Sequence, residues 1–340
     1  MHTCKLFIAL GAFAISGWAQ TSAGVAGPVT GFIFDAQTGA VRPMLGIPGA
    51  AYLGNMVAAG LNSASVAPDG SAALAVQQLG RLVLYTGLRG ATPPLALHVP
   101  GAIAGADHFA WAPISSANGG GSAAVVYCSR TGQAQILTGL GQSPAAAAPI
   151  NLSGLPGQVT ALAFDGQRLI VGVASNEAGG IYLASASSGI QRIAHSASPC
   201  AIDLAGSSLY FADNQAQQIW QVQSYAGIPA AVLFANDSGI SSPAGLQLSA
   251  DGQRLYAANA GNRTLSIYDI TSRLPVQSLD LSFTPTRLDL FGDATTFLLN
   301  GTGQGPLYVV RDGAPGKAAV YFVPAVPGKP SPLKAPIRPT

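Results

Sequence analysis

Short apolar runs recur from about residue 62 to residue 323, each closed by glycine, asparagine or aspartate. Runs of this length with alternating polarity and turn residues at their ends predict strands, not helices. The order of runs also repeats. Ser65-Val66-Ala67-Pro68-Asp69-Gly70 precedes Ala72-Ala73-Leu74-Ala75-Val76, and Ala161-Leu162-Ala163-Phe164-Asp165-Gly166 precedes Arg168-Leu169-Ile170-Val171. Leu246-Gln247-Leu248-Ser249-Ala250-Asp251-Gly252 precedes Arg254-Leu255-Tyr256-Ala257-Ala258. Weaker copies start at Ile202 and Leu288, and the most degraded at Phe109. Each Asp-Gly reads as a type I′ hairpin turn, which needs positive φ at both central residues.

Each hairpin is followed by two further runs, as Thr264-Leu265-Ser266-Ile267-Tyr268 and Val276-Gln277-Ser278-Leu279 follow the Asp251 hairpin. Four short strands at a period of about 40–50 residues make one blade of a β-propeller. The fold class is therefore all-β, a propeller of four-stranded blades, and six complete repeats are present. An extra hairpin precedes them, Gly31-Phe32-Ile33-Phe34-Asp35 with Ala40-Val41-Arg42-Pro43-Met44. It lacks inner strands and is expected to complete a ring-closing blade with help from residues 50–57 or 319–323. Seven blades are favoured over six.

Composition narrows the classes of function. Charged residues are 9% of the chain, against about 25% in ordinary soluble domains. Glu177 is the one glutamate, and all four lysines lie near the ends. Charged helical bundles and coiled coils are thereby excluded. The net charge of +2 provides no basic footprint, so no nucleic-acid partner is expected.

At the N-terminus Lys5 precedes an apolar run from Leu6 to Ile15, and the small residues Gly17 and Ala19 follow. This is the layout of a secretory signal peptide over residues 1–19, with an uncleaved anchor as the alternative. A secreted or periplasmic propeller over residues 20–324 follows, with no further membrane span. Residues 325–340, rich in proline, read as an extended spacer outside the ring. Two cysteines remain after cleavage, Cys128 and Cys200. They are expected as buried free thiols, with a bridge between them as the alternative reading.

The Asp251 repeat, continuing through Leu255-Tyr256-Ala257-Ala258-Asn259 and Asn262 to Thr264-Leu265-Ser266-Ile267-Tyr268-Asp269, resembles the YVTN type of lactonase-like propeller repeat. Leu209-Tyr210-Phe211-Ala212-Asp213-Asn214 with Gln218-Ile219-Trp220 is closer to NHL or gluconolactonase-type blades. The gluconolactonase resemblance implies one divalent cation, calcium or manganese, at the channel mouth. Glu177, Asp213, Asn214 and Asn259 are the residues that could hold it, and the cation would activate water or polarise a lactone carbonyl. The family's acidic ligand near the N-terminus has no clear match here.

From the residues alone, strand alternation places one set of polar side chains on the rim opposite the Asp-Gly turns. The candidate ligand-binding residues there are Asp107, His108, Asn176, Asn214, Asn259, Asn262 and Asn300. Converging amides could bind a peptide, a glycan or a partner protein. The competing reading is that they only shape loop turns. His108 beside Asp107 could be an oriented base, but no nucleophile adjoins it. Trp111 and Trp220 read as core residues. The sequence thus points to a non-catalytic binding module without a cofactor, with a metal-dependent lactonase-like hydrolase as the alternative.

Overall fold

The structure, a computed structural model, describes residues 27–113, 122–185, 189–303, 305–313 and 317–324. The expected signal peptide and the Pro-rich segment lie outside them. No helix among the described residues is long and apolar enough to cross a membrane.

Seven antiparallel blades form a ring, which is the architecture favoured from the repeats. Blade 1 holds Val29–Asp35, Ala40–Leu45 and the short strands Tyr52–Leu53 and Ala58–Ala59. Blades 2 to 7 open with Leu61–Val66, His108–Trp111, Gln158–Phe164, Pro199–Ala205, Pro243–Leu248 and Asp289–Leu290. They close with Leu95–His98, Ile150–Asn151, Gly189–His195, Ala230–Ala235, Pro275–Asp280 and Ala319–Val323. One end of the ring, here the turn face, carries the connections between first and second strands. The other, the linker face, carries the chain from each blade to the next.

Second strands are apolar on both sides because each is packed between two blades. Leu209, Tyr210, Phe211 and Ala212 are all buried. The core therefore lies between blades: Ile170 and Ile181 of blade 4 share a cluster with Leu209, Phe211 and Val222 of blade 5. Each such side chain contributes about 1.5–3 kcal/mol. Fourth strands such as Pro275–Asp280 face solvent and alternate.

The Asp-Gly turns differ from the type I′ expectation. Gly252 has φ +67°, but Asp251 is not in the left-handed region. Gly252 N–H donates to Ser249 O, so the glycine ends a four-residue turn. The aspartate supplies a side-chain link instead. Asp69, Asp165, Asp251 and Asp293 each accept from the N–H two residues later, at 2.8–3.0 Å. This local bond competes with longer pairing and holds the turn.

Blade 1 is built around the expected hairpin. Tyr52–Leu53 and Ala58–Ala59 both pair with Ala40–Leu45, so they form one interrupted outer layer. Ala319–Val323 belongs to blade 7 instead. Arg89, from a turn-face loop of blade 2, joins the junction: its guanidinium donates to Asp69 O, to Val29 O and Thr30 O of blade 1, and to Gly292 O of blade 7.

Candidate functional site

The rim candidates stand on five separate blades. Asn259 is fully buried, its amide donating to Ala257 O and Ser266 Oγ while its oxygen accepts from Ser241 N–H. Asn262 donates to Gly239 O and accepts from Thr264 Oγ1. Asn300 bridges Pro306 O and Tyr308 N–H across its own loop. Asp213 is buried and accepts from Ser196 Oγ and from the N–H groups of Ala197, Gln215 and Ala216. These four direct their polar atoms at their own loops or at the linker that precedes their blade. Asn176, Glu177 and Asn214 are exposed.

Asp107 pairs with His108 Nδ1 at 2.8 Å and accepts from the N–H and hydroxyl of Ser129. Burial pushes its carboxyl up, but bonds from Ser129 and His108 outweigh this and hold it below the usual range. The Ser129 hydroxyl is spent on Asp107, not on His108, so the dyad has no nucleophile paired to its base. Among the described residues no three His, Cys, Asp or Glu side chains converge in one group. Cys128 and Cys200 are both free. The Cys200 thiol lies between Pro243 O and Ala212 O, and burial, with Asp213 nearby, pushes it up to about 12. That excludes a thiolate nucleophile at neutral pH.

The concave site lies on the ring axis. A cavity of about 440 Å³ is walled by the first strands of blades 2 to 7 and by residues 32–34 of blade 1. It reaches the turn face at Pro68, Ala250 and Ala294. Phe34, Trp111, Leu162 and Leu290 give it apolar wall. Trp111 is thus channel lining as well as core, and its Nε1–H donates to Ser65 Oγ at 3.0 Å. The polar part comes from Asp203, Gln247 and the exposed Arg287–Asp289 pair. None of these four stood out in the sequence. A polar residue between two apolar ones, as in Ile202-Asp203-Leu204, reads the same on a channel wall as on an outer strand.

Asp203 is the chemically unusual group of the channel. Burial pushes its carboxyl up to about 6, against bonds from Leu248 N–H, Leu204 N–H and Gln247 Nε2. The folded protein holds this proton more tightly than the unfolded chain, whose aspartates titrate near 3.8. Its contribution to stability is therefore complete below about pH 4 and lost as pH rises through about 6. The expected loss between pH 4.5 and 7 is about 2 kcal/mol, less than the full shift implies because part of that shift acts below pH 4.5. Urea unfolding at the two pH values measures it, and Asp203→Asn should remove the slope.

No protein-family model and no curated protein matches the sequence. Solved structures do. A Lactobacillus plantarum protein superposes with TM-score 0.62 at 15% identity, over 87% of this chain and 96% of its own. A Desulfotomaculum acetoxidans protein of unknown function gives 0.61 at 14%, over 86% and 95%. A proposed 6-phosphogluconolactonase of Bacteroides fragilis gives 0.58 at 12%, over 87% and 95%. By fold, the chain is a seven-bladed β-propeller. At these identities the likeness concerns the seven-bladed ring and carries no residue of a site. The propeller architecture expected from the Asp251 repeat is the one observed.

Proposed function

We propose that the protein is an exported, non-catalytic binding module, and that its axial channel takes an apolar segment of a peptide or protein partner at the turn face. One observation carries this reading: the channel is of ligand size and about half of its exposed wall is apolar, around Phe34, Trp111, Leu162 and Leu290, whereas Asn259, Asn262, Asn300 and Asp213 spend their polar atoms inside loops. The apolar half of the wall suits side chains of a peptide, and the polar half, with Asp203, Gln247, Arg287 and Asp289, suits its main chain. The sparse surface charge argues in the same direction, since it leaves apolar contact rather than electrostatic steering to recruit a partner.

Panning a random heptapeptide library on the mature chain tests this directly. Selected peptides should shift the emission of Trp111 and lose at least about tenfold in affinity to Ala64→Trp, which fills the channel. Peptides that bind both proteins alike would remove the channel from the argument. The rival, a metal-dependent hydrolase, predicts stoichiometric calcium or manganese binding in calorimetry that Glu177→Gln or Asp213→Asn abolishes.

A further inference from the structure

Among the described residues, three charged side chains stand on the channel wall: Asp203 of blade 5, and Arg287 and Asp289 of blade 7. Arg287 and Asp289 pair with each other. Asp203 has no cation beside it. The bonds it accepts come from neutral donors: Leu204 N–H at 2.8 Å on one oxygen, Gln247 Nε2 at 2.9 Å and Leu248 N–H at 2.6 Å on the other. With Asp203 ionised, the wall carries one uncompensated negative charge.

The elements packed on Asp203 supply no counter-charge. Gln158–Phe164 and Leu169–Ala174 of blade 4, and Pro243–Leu248 of blade 6, contain no charged residue. Within blade 5, Tyr210 stands opposite Asp203, and burial raises its phenol, which accepts from Gln221 Nε2. Cys200, on the same strand as Asp203, is held as the thiol. A desolvated carboxylate without a cation is an unfavourable arrangement, and here it lies on the wall of a ligand-sized cavity.

We propose that this part of the channel seats a cationic head group, the ammonium or guanidinium of a lysine or arginine side chain in the bound segment, against Asp203 and Gln247. The inference rests on the channel being the binding site and names the charge of what enters it. Both residues are partly exposed on the wall. Gln247 gives its Nε2 to Asp203, and its Oε1 accepts from no described group of the protein. Asp203 Oδ1 accepts one bond, where a carboxylate oxygen takes two. Two acceptors are thus left for a group that only donates, as an ammonium or guanidinium does.

The remaining wall suits the rest of such a side chain. Lysine and arginine carry apolar stems that pack on apolar surface while the charged end finds its partners, and Phe34, Trp111 and Leu290 line the same cavity. An anion would meet the Asp203 charge, and a neutral hydroxyl would leave it uncompensated. The seat also depends on pH. Burial raises the Asp203 carboxyl to about 6, so a cation that pairs with the ionised form must expel a proton below that pH. The ionised fraction grows about tenfold between pH 5 and pH 7.5.

Calorimetric titration of the full mature chain with 4-phenylbutylamine, an aromatic ring on a stem of lysine length, and with its neutral isostere 4-phenylbutanol tests this. At pH 7.5 the amine should bind at least about tenfold more tightly than the alcohol, and at pH 5 that advantage should be gone. Asp203→Asn should bring the amine to the affinity of the alcohol at both pH values. At pH 6, titration in buffers of different ionisation enthalpy should show about half a proton released per amine bound, a measurement that needs no variant. Ala64→Trp should weaken both probes. Equal affinities of amine and alcohol at pH 7.5, both lost in Ala64→Trp, would keep the channel as the binding site and overturn the cationic seat. An amine preference that survives Asp203→Asn, or amine binding without proton release, would overturn it as well. So would failure of both probes to bind while selected heptapeptides still occupy the channel. Binding of both probes undiminished by Ala64→Trp would remove the channel itself, and the seat with it.

Discussion

Gly292→Ala is expected to destabilise the protein by about 4 kcal/mol and to lower its melting temperature by roughly 6 °C. Gly292 lies in the first turn of blade 7 with φ +78°. A Cβ there would collide with the carbonyl oxygen of Thr30 and stand 2.9 Å from Gly31 Cα. Both are main-chain atoms of blade 1, so the collision cannot be relieved by a rotamer change. It must instead push blades 7 and 1 apart where Arg89 binds both. Gly252→Ala is the control: its φ is also positive, but nothing lies within 4 Å of the added Cβ. It should cost only about 1 kcal/mol. Similar unfolding midpoints for the two variants would show that the junction yields to the methyl group.

The second large effect is expected from Arg254→Ala, about 3–5 kcal/mol in urea unfolding. Arg254 opens the second strand of blade 6 and reaches across to blade 7. Its guanidinium meets Asp312 at 2.9 Å and donates to Gly313 O. The Tyr256 hydroxyl donates to the same carboxylate, and both members of the ion pair are nearly buried, at 11% and 6% exposure. Removing the cation leaves the Asp312 charge buried with a phenol alone. Burial, together with the bond to Asp312, already holds the Tyr256 hydroxyl well above its usual range, so it stays protonated and donating. Arg287→Ala breaks an ion pair exposed on both sides and should cost less than about 1 kcal/mol. A small effect at Arg254 would mean that blades 6 and 7 are held by apolar packing alone.

Local chemistry by itself determined the repeating part of this protein. Glycine at the left-handed position of the first turns of blades 2, 4, 5, 6 and 7, aspartate bonded two residues ahead in four of them, and alternating apolar runs are all short-range signals. They recur around the ring, which is why the strands, the propeller and the seventh, hairpin-led blade were legible from the residues. Even there, the turn type depended on a side-chain bond: Asp251 binds Gln253 N–H, and only the glycine needs positive φ. The candidate site depended on distance in space. Asn259 looked like a rim amide because it ends a strand, and only packing shows it enclosed by Ser241, Ser266 and Ala257. Asp203 and Gln247 looked like ordinary alternation until ring closure turned their strands toward one axis. A hairpin carries no mark of its radial place, which is decided by which blades flank it and which way its strands run between the two faces.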